Sequence, residues 1–282
     1  MGLKRHRRIK RRETIIYGAA ERILYMQTTN IFHIVFFDYD LSAYVHFFNC
    51  NFRCLGCLRK LFIWDCHLPN DVISKLRFKE FLSLNDLKSI ILKMISTHNM
   101  KRAVLGGGEP TTDPSLTEIL RELKDLSMDI VVLTNAYAIN DSLLREMADS
   151  HATVIASIKS INPAKHKMYT GFPLKPVLNN VTRIYNSNIK MLIETIAIPG
   201  FNNADEIGQL AKFIASIDRK IPLIIDSFIP VPGAPWRRTT LEELEEAERE
   251  ALKYLDNVYG RGKVITEGLK GGVHLIYPET VS

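Results

Sequence analysis

Eight consecutive residues, Cys50-Asn51-Phe52-Arg53-Cys54-Leu55-Gly56-Cys57, carry the strongest chemical signal in this 282-residue chain. The CxxxCxxC spacing places three thiols on one tight loop. Three thiolates can ligate three irons of a cubane, because iron–sulfur clusters are held by cysteine sulfur. A fourth cysteine usually completes the set. With three ligands, one iron keeps an open coordination position, which makes a metal centre reactive toward substrate. The rival reading is a structural zinc site that uses all four cysteines, with His67 close enough in sequence to Cys66 to contribute. Zinc ribbons generally pair two CxxC knuckles, whereas this chain has one.

A second run, Gly106-Gly107-Gly108-Glu109-Pro110, follows the next apolar segment. A glycine run alone is a turn signal. Thr134, Asn135 and Lys159 also sit where apolar segments end. Thr134-Asn135 has a plain reading as a turn cap, and Lys159 as a solvated lysine. Trp64 and Asp65 read equally as packing and turn residues or as site residues. Met26, Met94 and Met100 read as core, and Cys66 as a small buried residue. His33, His46, His67 and His274 show no ligand spacing and are assigned no role.

The elements that must position these residues follow from the pattern. Ile31–Phe37 and Tyr44–Phe48 are rich in β-branched and aromatic residues and read as strands, the second leading into Cys50. Ser83 reads as the cap of a helix to about Ser96, with Leu84, Leu87, Ile90, Ile91 and Met94 at helical spacing. Strands are then expected at 102–105, 129–134, 153–158, 191–198 and 222–228. Helices are expected at 116–126, 141–148, 176–186, 204–217 and 241–254, with short apolar pieces near Val264 and Val273. Such alternation implies right-handed crossovers and a parallel sheet, curved into a partial barrel of about six units. Active sites in that α/β architecture lie at the C-terminal ends of strands, where all the loops above fall.

Composition agrees with a globular chain: 46% hydrophobic and 24% charged residues can build a sizeable core. The formal charge of +6 comes from a tail, because seven cations and no acid precede Glu13, leaving the rest nearly neutral. Residues 1–13 are expected to be a basic, flexible tail that can touch RNA or an acidic partner. Residues 14–282 are expected to form one domain, with a C-terminal extension after about 229. No apolar run reaches the ~20 residues a membrane span requires, and no secretory signal is recognisable, so the expected address is cytoplasmic. Four cysteines in one short stretch of such a chain point to metal or redox chemistry rather than disulfides.

CxxxCxxC after one strand, followed by Gly107-Gly108-Glu109-Pro110 after the next, resembles the radical S-adenosylmethionine superfamily. The resemblance runs from about Ile31 to Phe228 and implies a partial (β/α)6 barrel. It implies one 4Fe–4S cluster on Cys50, Cys54 and Cys57, with S-adenosylmethionine on the open iron. One-electron cleavage would give a 5′-deoxyadenosyl radical that abstracts hydrogen. Implied cofactor contacts are Gly107, Gly108, Glu109 and Pro110, then Thr134 and Asn135 toward ribose and Lys159 toward the methionine carboxylate.

Within the superfamily the chain is similar to glycyl-radical-enzyme activases of the pyruvate formate-lyase-activating type. The likeness rests on Ile158-Lys159-Ser160-Ile161-Asn162 with His166, on Ile198-Pro199-Gly200, and on Trp64-Asp65. An activase implies a protein substrate and an electron donor such as flavodoxin or ferredoxin. Gly56, Leu133, Ser157 and Ile229 depart from that pattern at the adenine, cation and histidine positions. Two alternatives stand beside it: a radical enzyme that modifies RNA or a ribosomal component, and a non-catalytic zinc-binding module.

Overall fold

The computed structural model of the protein describes residues 28–262 and 272–278. The basic run of residues 1–13, Met26 and the apolar piece near Val264 lie outside the described residues.

The first two strands, β1 (Ile31–Phe37) and β2 (Ser42–Phe47), form an antiparallel hairpin. The segment joining them is too short for a crossover, which needs a dozen or more residues. Leu41 makes the turn at φ 55°. Every residue of β1 is buried because both of its faces are covered. Ile34 and Phe36 join the main core with Leu87, Ile91 and Met94 of the helix α2 (Leu84–His98). Val35 and Phe37 pack on the opposite face with Leu68 and Leu76, in a segment that contains the short helix α1 (Asn70–Lys75).

From β2 the sheet continues in parallel through β3 (Arg102–Gly107), β4 (Asp129–Thr134), β5 (Thr153–Ser157), β6 (Met191–Ala197), β7 (Leu223–Ser227) and β8 (Val258–Arg261). A last strand, β9 (Val273–Tyr277), returns antiparallel beside β1. The nine-stranded order is β8-β7-β6-β5-β4-β3-β2-β1-β9. The connections carry α3 (Leu116–Asp125), α4 (Asp141–Asp149), α5 (Pro163–Thr170), α6 (Lys175–Asn186), α7 (Ala204–Ile217) and α8 (Leu241–Leu252). This is the expected α/β fold, with a mostly parallel sheet flanked by helices. The sheet curves: Tyr44 on β2 lies within electrostatic reach of Glu194 on β6. In a flat sheet those strands would stand on the order of 19 Å apart.

Local chemistry starts the helices where side-chain oxygens can accept the orphan amides of a first turn. Ser83 accepts from Asp86 N at 3.1 Å, Asn140 from Leu143 N at 2.8 Å, and Asn162 from the amides of Ala164 and Lys165. Thr240 and Glu243 form a reciprocal capping box on α8. Three elements were not anticipated from the pattern: α1, α5 and β8. Nor was the antiparallel direction of β1. No helix among the described residues is long and apolar enough to cross a membrane.

Candidate active site

Because β2 to β7 run in parallel, their C-terminal ends share one edge of the sheet. The cysteine loop leaves β2 there, and β3 ends beside it at Gly107, which pairs with Phe47. Cys54 and Cys57 are half-buried and Cys50 is exposed. Each of the three thiols lies within electrostatic reach of the other two. Burial pushes Cys54 up to about 12, opposed by Lys159 and reinforced by Cys57 and Cys50. Burial likewise pushes Cys50 up to about 11.

The loop is tied to a distant element. Arg53 N donates to Thr170 O and Leu55 N to Tyr169 O, each at 2.9 Å, stitching it to the end of α5. Gly56 is glycine because a Cβ there would lie 2.4 Å from Tyr169 Oη and 2.6 Å from Phe228 Cε2. Tyr169, Ile198, Phe201 and Phe228 form a buried apolar cluster, with Cys54, Leu55 and Trp236 packed against it. Phe52 stacks on Phe172 at 5.4 Å and meets the buried His166 edge-on.

Gly107 is exposed at the end of β3 with φ +86°, a conformation that favours glycine. Gly108 N donates to Phe47 O at 2.8 Å, and a Cβ at Gly108 would stand 2.3 Å from Asn49 O. The two strand ends are therefore pressed together. Glu109 is fully buried and caps a short turn begun by the buried Pro110. Its Oε1 accepts from Thr134 Oγ1 at 2.6 Å and from Thr111 Oγ1 at 2.7 Å, and its Oε2 from Asn135 N at 2.6 Å. Burial pushes this carboxyl up, and the bonds from Asn135, Thr134 and Thr111 oppose the shift. Thr134 Oγ1 also accepts from Ala136 N, so its hydroxyl is engaged on both sides. Asn135 Nδ2 donates to Asn51 Oδ1 at 2.7 Å, linking the end of β4 to the cysteine loop.

Lys159, just past β5, is not a solvated lysine. Its Nζ donates to Ser157 Oγ at 2.5 Å, and Ser157 Oγ donates to Glu194 Oε1 at 2.8 Å. Arg261 continues the chain, with Nη2 on Glu194 Oε2 at 2.8 Å and Nε on Asp226 Oδ1 at 2.7 Å. Glu194, Asp226 and Arg261 were not singled out in the sequence. The available signal was charge inside the otherwise apolar strands β6 and β7.

One reading is corrected here, and one set of contacts is added. Cys66 is exposed rather than buried. His33, His46 and His67, which showed no spacing pattern, all meet one residue, Asp65. His46 Nε2 stands 3.0 Å and His67 Nδ1 2.8 Å from its carboxylate, and its backbone N donates to His33 Nε2 at 3.1 Å. The strand register brings His33 opposite His46, and folding alone brings both to Asp65.

The chain has relatives among known proteins. The profile of the Radical SAM superfamily matches residues 44–214. A protein of Methanocaldococcus jannaschii, provisionally named a glycyl-radical enzyme activating enzyme, is 27% identical over 216 residues, 75% of this chain and 77% of that protein. The GTP 3′,8-cyclase of Clostridium perfringens is 24% identical over 237 residues, 80% of this chain and 69% of that protein. In structure, SuiB of Streptococcus suis bound to S-adenosylmethionine is similar at a TM-score of 0.60 and 17% identity. That match covers 76% of this chain and 48% of SuiB, so the chain spans about half of SuiB's length.

Proposed function

The chain belongs to the radical SAM superfamily, and we propose that it acts there as an activase that takes a hydrogen atom from a glycine of a partner protein. Members of the family bind a 4Fe–4S cluster and S-adenosylmethionine. The residues fit that pair on their own chemistry. Three converging thiols, with the protonated form favoured at Cys50 and Cys54, need a cationic centre to stay deprotonated. Beside them an exposed glycine strand end leaves room for a ligand's close approach.

In this reading Cys50, Cys54 and Cys57 hold the cluster. The backbone of Gly107 and Gly108 would receive the methionine amino group, and the Lys159 ammonium would hold the methionine carboxylate as a point charge. Held by these cysteines, such a cluster would supply one-electron reductive cleavage of the sulfonium as the source of hydrogen abstraction. The side chains position and shield. Glu109 and Thr134 satisfy one another and fix the end of β4, and Pro110 fixes the turn. We therefore assign Glu109 and Thr134 to positioning. Asn135 bonds the cysteine loop through Nδ2 on Asn51 and accepts from Tyr137 N at Oδ1, which leaves one amide hydrogen for ribose. The apolar cluster of Tyr169, Phe201 and Phe228 keeps water from Cys54.

The observation that carries the activase reading is the archaeal relative, because that match spans three quarters of both chains. The partner supplies a glycine-bearing loop to the strand-end mouth, and a flavodoxin or ferredoxin supplies the electron. The second reading, a small nucleotide as substrate, is favoured by the cyclase relative. One experiment separates them. The reduced, anaerobic protein is given S-adenosylmethionine with a glycyl-radical protein whose glycines are α-deuterated, or with GTP. Deuterium in 5′-deoxyadenosine from the protein substrate supports the activase. Turnover that responds only to GTP overturns it.

A further inference from the structure

Downstream of the cysteine loop, Asp65, Cys66 and His67 bring three unlike donors together: a carboxylate oxygen, a thiol sulfur and an imidazole nitrogen, all within 4.8 Å of one another. We propose that these three residues form a second metal site, separate from the cysteine loop, that takes one divalent ion of the Zn2+ class with solvent in the fourth position.

The argument turns on a single atom. His67 Nδ1 lies 2.8 Å from Asp65 Oδ1 and 3.8 Å from Cys66 Sγ. In a Cys–His–Asp proton relay the thiol and the carboxylate would occupy opposite nitrogens of the ring, because the imidazole must bridge them. Here both approach the same nitrogen, so the imidazole cannot relay a proton between them. Convergence of O, N and S on one point is instead what tetrahedral ligation requires. With bonds of about 2.1 Å to O and N and 2.3 Å to S, the O–N and N–S edges come to about 3.4 and 3.6 Å. The N–S separation lies near its value and the O–N separation, now a hydrogen bond, lies below it, so small side-chain rotations that part Oδ1 from Nδ1 complete the site.

The donors are also held from behind. The second carboxylate oxygen of Asp65 contacts His46 Nε2 at 3.0 Å, the outer hydrogen bond that ligating carboxylates usually carry. His46 stacks on His33 with ring centroids 3.7 Å apart, and His33 accepts from Asp65 N. The His67 ring sits edge-on to Phe37 at 5.5 Å. Residues of β1 and β2 thus fix Asp65 and the ring, while Cys66 and His67 stay open to an entering ion. Such an ion would pin the segment between the cysteine loop and α1 onto the inner face of the sheet. Zn2+ suits a mixed O, N, S set, whereas Mg2+ and Ca2+ take oxygen.

The proposal stands apart from the activase reading, and its test needs no turnover. The full chain, with its cluster reconstituted, is treated anaerobically with Zn2+ or Co2+, desalted, and analysed for metal, iron and sulfide. We expect about one retained equivalent beyond iron, and with Co2+ a thiolate charge-transfer band. Cys66→Ala and His67→Gln, both at exposed positions, should lose the equivalent and keep the iron. Cys54→Ala should lose the iron and keep the equivalent. His46→Gln should weaken Zn2+ binding by about 10–100-fold. Zn2+ should raise the Tm of the parent and not of Cys66→Ala. Three results would overturn the site: no equivalent on the intact protein, an equal equivalent in Cys66→Ala and His67→Gln, or an equivalent that disappears with Cys54→Ala.

Discussion

The cysteine loop and the Trp64–His67 segment are near neighbours in sequence, and both carry thiols, yet they offer metals different environments. In the loop, three sulfurs sit together, with an apolar cluster against Cys54 and Leu55 and Lys159 as a nearby cation. In the segment, one exposed sulfur meets a carboxylate and an imidazole. The first donor set suits an all-sulfur iron cluster, and the second suits a single borderline ion. Burial and the identity of the other donors set the chemistry, and the cysteine spacing alone could not.

The sharpest way to break this comparison is Cys54→Ala. Iron binding and S-adenosylmethionine cleavage should fall to background, with the far-ultraviolet circular dichroism of the parent retained. Deoxyadenosine production at the parent's rate would refute the cluster assignment. Next in size, Lys159→Met should raise the KM for S-adenosylmethionine by roughly 10–100-fold, in proportion to one lost charge-assisted contact. A fall in kcat alone would place Lys159 elsewhere. Glu109→Gln replaces one acceptor oxygen with a donor and sets it against Asn135 N or Thr134 Oγ1. It should cost about 2 kcal/mol in urea unfolding, and it tests whether the strand-end joint is structural.

A smaller effect concerns pH. Burial pulls His166 down to about 4 and His33 to about 2. Each is neutral when folded and takes up a proton on unfolding below its ordinary value of 6.5. Between pH 6.5 and 4 the unfolded chain therefore binds more protons, and stability falls as pH falls. His166→Gln should reduce that slope by about one proton, read from urea midpoints across the window. An unchanged slope would show that His166 titrates normally. The smallest effect is none: Cys66→Ala should leave bound iron unchanged, and a fall in iron would join the two regions into one site.

What the sequence made legible was local. CxxxCxxC and the Gly106–Pro110 run act over a few residues, and β-branched runs marked β2 to β7 because buried parallel strands are apolar along their length. The direction of β1 was also within reach, since the short link to β2 cannot hold a crossover. Asn162 and Pro163 were readable start signals for α5 that periodicity did not pick out. β8 was not legible: Val258–Arg261 is short and half-exposed, and pairing with β7 makes it a strand. The Asp65 hub reaches back to His33 and His46, and the Lys159–Ser157 pair reaches on to Glu194 and Arg261, so no spacing rule could find either in full. Cys66 was read as buried from residue type, and the fold leaves it outside.

The two amide bonds from the cysteine loop to the end of α5 have a mechanical consequence. The sheet is an open arc, yet the loop spans from β2 to the helix after β5 like a chord. Whatever occupies the loop is thereby coupled to α5, and through Tyr169 to Phe201 and Trp236. Loading iron would tighten that chord and stiffen the rim on its far side, and stripping it would let the rim slacken before the strands beneath give way.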